Sequence, residues 1–215
     1  MADGAADPLG RYEFRVWGDL GEVRERLAGV GRWSGQETLR DRYLLGPLTS
    51  VNAKLRRGSL EVKHLTDVTA DFERWRPAWS HDAPFPAGVV ANVVTEVGGR
   101  SVPASNPDPL AEADLVGLFE RAVDLGAIAV TKRRRRYRLG SARAEATHVL
   151  VDGGESAVWT VAIEHHELGP LEEARAALGL DDAQNVSVNV ALAQGLVSGS
   201  EPASDTDLVR VADGG

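Results

Sequence analysis

The chain has 215 residues, enough for one sizeable domain, and its 43% hydrophobic and 26% charged content are ordinary for a folded globular protein. A net charge of −8 argues against general coating of nucleic acid, and the lack of cysteine excludes disulfides and thiolate metal sites, so a metal would sit on oxygen or imidazole. No apolar run nears the about 20 residues of a membrane-spanning helix, and the start does not read as a signal peptide, so a cytoplasmic protein without a membrane partner is expected.

Residues 1–10 are small and polar and read as a disordered tail. Arg11–Trp17 alternates, with Arg11, Glu13 and Arg15 on one face and Tyr12, Phe14 and Val16 on the other, the pattern of a half-buried strand. Gly18 breaks it and Asp19 is placed to cap a helix over Leu20–Val30, where Leu20, Val23, Leu27 and Val30 fall at helical spacing. Glu37–Leu45 reads as a strand ended by Gly46-Pro47. Val51–Arg57 and Leu60–Leu65 read as a hairpin around Arg57-Gly58-Ser59, with Lys54, Arg56, Glu61 and Lys63 opposite Leu55, Leu60 and Val62. Thr66–Asp82 is mixed, and its Trp75 and Trp79 read as core or lid packing.

Pro86–Val97 is valine-rich and reads as a helix stopped by Gly98-Gly99, Arg100–Pro109 as a loop, and Ala111–Leu125 as a helix with Leu115, Leu118, Phe119 and Ala122 on one stripe. Next comes the stretch Ala129–Gly140, which packs Lys132, Arg133, Arg134, Arg135, Arg136 and Arg138 between apolar flanks and a terminating Gly. A solvated basic tail would lack those flanks, so a strand is expected, with Lys132, Arg134 and Arg136 sharing a face. Like charges in such a row repel unless they face water or an anion. Arg143–Val151 and Ala157–His165 read as a hairpin around residues 152–155, Pro170–Leu180 as a helix, and Ala183–Leu196 as a short helix or, given Val186, Val188 and Val190, a strand. Residues 197–215 read as a disordered acidic tail.

At least six strands thus carry a charged face backed by an apolar one. A flat sheet could turn the charged faces to water. An α+β fold built on an antiparallel barrel, with charged residues inside and helices packed outside, also buries the helix stripes.

The order of these motifs resembles the CYTH domains, or triphosphate tunnel metalloenzymes, over roughly residues 11 to 196. Arg11-Tyr12-Glu13-Phe14-Arg15 is similar to the family's opening Glu-x-Glu-x-Lys, Lys54-Leu55-Arg56 and Leu60-Glu61-Val62-Lys63 to its basic pair and Lys-ending strand. A helix followed by Lys132, Arg134 and Tyr137 resembles its Lys-x-Arg-x-x-Tyr strand; Glu145 matches the next acidic position, and Ala162-Ile163-Glu164 the closing Glu-Ile-Glu. The resemblance implies an eight-stranded antiparallel β-barrel, the triphosphate tunnel, with helices outside. It implies a small triphosphate or polyphosphate ligand held by Arg15, Lys54, Arg56, Lys63, Lys132, Arg134 and Arg136. It implies Mg²⁺ or Mn²⁺ on Glu13, Glu61, Glu145 and Glu164, with Glu13 and Glu164 as the catalytic candidates. The family's first Glu is Arg11 here and its first closing Glu is Ala162, so two acidic positions of the metal set are missing.

Arg suits phosphate because its planar fork donates two parallel hydrogen bonds, while Lys acts as a point charge. The expected activity is hydrolysis of inorganic or small organic triphosphate. The alternatives are a non-catalytic polyphosphate- or nucleotide-binding protein and a class IV-type adenylate cyclase, with RNA binding through the basic strand a weaker option; nucleic acid is not the expected partner, and a homodimer is compatible with the sequence. His165 and His166 alternate faces in a strand, so only His166 can join Glu164, and a surface pair is expected rather than a zinc site.

Overall fold

The stretches that alternate between charged and apolar residues are strands, and the strands close on themselves. The computed structural model describes residues 9–100, 108–152, 154 and 157–197. The strands are β1 (Arg11–Gly18), β2 (Arg32–Leu45), β3 (Val51–Arg56), β4 (Ser59–Thr69), β5 (Phe72–Asp82), β6 (Gly126–Leu139), β7 (Ala142–Val151) and β8 (Ala157–His165). They form a closed barrel in the order β1-β5-β4-β3-β2-β6-β7-β8, every pair antiparallel. Closure leaves no unpaired edge to attract another chain.

Helices cover the outside in two groups. The first is α1 (Gly21–Val30) with α4 (Leu168–Leu178), whose Leu27, Leu171 and Leu178 pack on Phe14, Tyr137, Ala144, Val161 and Ile163. The second is α2 (Ala87–Gly98) with α3 (Glu112–Arg121), whose Val93, Val97, Leu115 and Phe119 pack on Leu44, Leu55, Leu60 and Val62. Burying each such side chain is worth roughly 1.5–3 kcal/mol, and this outer layer fixes which way every strand faces. A last short helix, α5 (Val188–Ala193), packs Val188, Ala191 and Leu192 on Tyr43, Val130, Val149 and Val158. Those four share the parity of the charged residues, so α5 seals one end of the barrel. Trp17 Nε1 donates to Val186 O at 2.8 Å, the Val186 amide to Arg15 O at 2.9 Å, and Asn189 Nδ2 to Thr49 O at 2.7 Å, which pins α5 there.

Several expectations shift. The segment Thr66–Asp82 is not mixed: β4 runs to Thr69 and β5 begins at Phe72, across a turn in which Ala70 and Asp71 both have left-handed φ. Irregular pairing between Val62 and Lys63 changes the parity of β5, so Trp75 pairs with inward-facing Arg11 while Trp79 pairs with outward-facing Val62 and donates to Glu96 on α2 at 3.0 Å. The hairpin turn is Arg57-Gly58, both with positive φ, which suits the right-handed twist of β3 and β4. Helix α3 ends at Arg121 rather than Leu125, β2 begins five residues earlier than expected, and Val30 is 55% exposed instead of joining the α1 stripe. The valines at 186–190 belong to α5 and its approach, not to a strand. Residues 1–8 and 198–215 of the expected tails, most of the proline loop and part of the 152–155 turn lie outside the described residues.

Candidate functional site

Because the outer faces are fixed by the helices, the opposite faces converge. Register puts Arg15, Ala162, Glu145 and Arg136 in one row across β1, β8, β7 and β6. A second row runs Glu73, Glu13, Glu164 and Arg143 across β5, β1, β8 and β7. On the other side, Tyr43, Lys54 and Glu61 align across β2, β3 and β4. Lys63 follows Glu61 on the same face, opposite Asn52, and its charge acts on both Glu13 and Lys54. Lys132, Arg134 and Arg136 alternate inwards along β6, and Arg133 and Arg135 outwards. The structure thus brings every cation and carboxylate expected of the site to one interior.

These charges pair across strands rather than stand in rows. Glu145 accepts Arg15 Nη2 at 3.0 Å, and Arg134 Nε lies 3.0 Å from its other oxygen. Arg15 also donates from Nε to Glu13 at 2.9 Å and from Nη1 to Thr160 at 3.3 Å, and is only 6% exposed. Lys54 contacts Glu61 at 3.0 Å, and Arg11 contacts Glu164 at 3.2 Å. Arg136 is looser, 3.7 Å from Glu37.

Two groups on β2, and a third on β5, were not singled out from sequence. Asp41 lies on the inner face of β2, its Oδ1 and Oδ2 each accepting from Arg56 at 2.6 Å and Oδ2 also from Lys132 at 3.1 Å. Tyr43 is the other, its hydroxyl bonded to Lys132 Nζ. The signal was present in the alternation Glu37, Leu39, Asp41, Tyr43, but the opposite face carries Arg40 and Arg42, so charge alone did not tell inside from outside. Glu73, also inward, was hidden in the segment read as mixed.

Burial would raise each carboxyl, yet for most of them the cations win. Glu145 is held at about 2 by Arg134 and Arg15, and Asp41 is well below the ordinary range through Arg56 and Lys132. Burial likewise opposes ionisation of Glu13 and Glu61, but Arg15 and Lys54 respectively lower both. Glu73 goes up instead, by burial and by the charge of Glu13. Burial lowers Lys132 to about 8 despite Asp41, and also lowers Lys54.

Among the described residues, no three carboxylate or imidazole side chains gather as a metal site would require. Glu13 and Glu164 face each other across β1 and β8, but Glu13 is held by Arg15 and Glu164 by Arg11, while Glu145 is taken by two guanidinium groups and Glu61 by Lys54. At position 162 an alanine adjoins Arg15 and Glu145. As arranged, this donor set does not fit a divalent cation. His166 bonds Gly10 O at 3.1 Å and lies beside Arg11.

A separate hollow of about 370 Å³ lies beside the β4–β5 turn, lined by Asp71, Glu73, Arg175, Asp181, Asp182 and Asn185. It holds more acid than base and is no anion site.

No sequence-family profile matches the chain, and no curated protein does. Among solved structures it is similar to the PH1012 protein of Pyrococcus horikoshii OT3, at 19% identity and TM-score 0.48, over 85% of this chain and 98% of that one. A conserved hypothetical protein of Pyrococcus furiosus follows at 15% identity and TM-score 0.47, over 82% and 94%. HpAC1 from Hippeastrum, an adenylyl-cyclase candidate with a dominant triphosphatase activity, aligns at 10% identity and TM-score 0.47, over 86% and 96%. The closed eight-stranded antiparallel wall, the outer helices and the inward charged rows are the architecture that the resemblance to the CYTH domains, or triphosphate tunnel metalloenzymes, implies.

Proposed function

We propose that the barrel interior binds a small triphosphate- or polyphosphate-type anion. The observation that carries this reading is convergence: Arg15 from β1 and Arg134 from β6 meet on the single carboxylate of Glu145, each at 3.0 Å, with Arg136 beside Glu145 in register and Lys63 acting on Glu13 below Arg15. Guanidinium groups from separate strands that reach one carboxylate can reach one phosphate, and a poorly hydrated interior strengthens each contact. Arg15, Lys63, Arg134 and Arg136 are the proposed binding residues, with Lys54, Arg56 and Lys132 lining the interior beyond them.

A second reading adds hydrolysis with Mg²⁺ or Mn²⁺. The facing pair Glu13–Glu164 favours it, at 22% and 28% side-chain exposure, because two accessible carboxylates adjoin the basic row. Against it stands their pairing: the Arg15 and Arg11 guanidinium groups already neutralise these two carboxylates and oppose a further cation beside them. Among the described residues no helix is long and apolar enough to cross a membrane.

Titration calorimetry with tripolyphosphate and ATP tests the first reading, with and without Mg²⁺ or Mn²⁺. Saturable binding that raises the unfolding temperature supports it. No binding of either anion overturns it. Phosphate release in the same mixtures supports the triphosphatase reading, cyclic nucleotide the cyclase, and stabilisation without turnover the pure binder.

A further inference from the structure

We propose that Asp41 is a resident counter-anion seated in a phosphate subsite made by Arg56 and Lys132, and that it restricts the barrel to short phosphate chains. The inference rests on the polyphosphate reading above. Its basis is the manner in which Asp41 is held. Its side chain is fully buried, and Arg56 donates Nε to one carboxylate oxygen and Nη2 to the other, both at 2.6 Å. That is the parallel fork which two oxygens of a phosphate would receive. Lys132 adds a third donor at 3.1 Å, itself 4% exposed and also bonded to the Tyr43 hydroxyl. The carboxylates nearer the opening are held differently: Glu13 and Glu164 pair through single oxygens with Arg15 and Arg11, and Glu145 is shared between two arginines.

Position gives this arrangement its consequence. Lys132 and Tyr43 lie towards the end sealed by α5, since Tyr43 packs against Val188, Ala191 and Leu192. An anion entering from the far end meets Arg11 and Arg136 first, then Arg15 and Arg134. To advance further it must displace a carboxylate that is covalently tethered, hence present at a very high effective concentration. The carboxylate also does for an empty barrel what a ligand would do for a filled one. Without it, Arg56 and Lys132 would be buried cations with no counter-charge, a costly arrangement.

The test compares pyrophosphate and tripolyphosphate by calorimetry on the full chain. In the wild type the two bind within about threefold of each other, because the third phosphate finds its subsite closed. Asp41→Asn keeps the side chain's shape and removes its charge, and it binds tripolyphosphate about tenfold or more tighter while pyrophosphate changes by less than about threefold, a gain of one charge-assisted fork. The wild-type comparison guards against a variant that fails to fold, since it needs no substitution. Tripolyphosphate bound about tenfold or more tighter than pyrophosphate by the wild type, or an Asp41→Asn protein that folds and gains nothing for tripolyphosphate, overturns the inference while leaving the binding reading intact. If the wild type binds neither anion, the binding reading fails; the counter-anion survives only if Asp41→Asn then acquires tripolyphosphate binding.

Discussion

Two ion-pair groups inside one barrel use the same chemistry at different depths. Towards the sealed end, Asp41 has no exposed side-chain surface and its partners Lys132 and Arg56 are 5% and 18% exposed; near the opening, Arg11 and Glu164 are 27% and 28% exposed, and Arg136 43%. The loose 3.7 Å contact of Arg136 with Glu37 lies near the opening, and the 2.6 Å contact of Arg56 with Asp41 lies deeper. Water competes with the outer pairs, so they cost little to separate and are available to a ligand. The inner pairs stabilise one another and the fold, and removing one partner strands a buried charge. Position in the barrel therefore divides residues of identical type into those that hold the wall together and those that the proposed anion would meet.

The sharpest way to break this division is Arg15→Met. Arg15 is the common partner of Glu13 and Glu145, so its loss leaves Glu13 without its partner and Glu145 with Arg134 alone. Urea unfolding is expected to show a loss of roughly 3–5 kcal/mol. Adding Glu145→Gln should return part of that loss, since the repulsion between Glu145 and the unpaired Glu13 is then gone. A cost below about 1 kcal/mol for Arg15→Met would mean the interior is as wet as a surface.

Smaller but better resolved is the effect of pH. The Glu145 carboxyl lies at about 2 in the folded protein against an ordinary 4.5, so its contribution is complete above 4.5 and is lost as pH falls towards 2. Two to three pH units correspond to about 3 kcal/mol, which Glu145→Gln should remove from the acid limb of the stability profile. Lys132 is lowered instead, from 10.5 to about 8. The unfolded chain keeps that proton to higher pH, so this group favours the folded state increasingly between pH 8 and 10.5. Lys132→Met should flatten that limb in urea titrations from pH 7.5 upwards, about where the native lysine begins to lose its proton.

The outer layer was largely legible in the sequence, and the inner pairing was not. Period-two alternation in Arg11–Trp17 and around Lys54–Lys63 assigns one face to apolar contact, and helices with matching stripes can cover only that face, which favours a polar-lined barrel over a flat sheet. Alternation fails where both faces carry charge, as in β2, and Asp41 went unnoticed among Arg40 and Arg42. It fails again where pairing slips, as in β5, whose irregularity put Trp75 inside and Trp79 outside. Which carboxylate answers which arginine depends on register between strands distant in sequence, such as Arg15 with Glu145. No local pattern encodes that.

At the opening the comparison predicts that binding and stability separate. Arg136→Ala should weaken tripolyphosphate by about tenfold while moving unfolding stability by under about 1 kcal/mol, because a half-exposed guanidinium loosely paired with Glu37 contributes little to the fold. Arg11→Ala should do less on both counts. Its contact with Glu164 is part-exposed, at 3.2 Å, the kind of pair that contributes between nothing and about 1 kcal/mol. Removing Arg11 leaves Glu164 uncompensated beside Glu13, however, so anion affinity should fall by about twofold through plain repulsion, and added salt should erase the difference. A salt-insensitive loss at Arg11 would instead mean direct contact with the anion, and the boundary between structural and receiving cations would then lie further out than the burial pattern draws it.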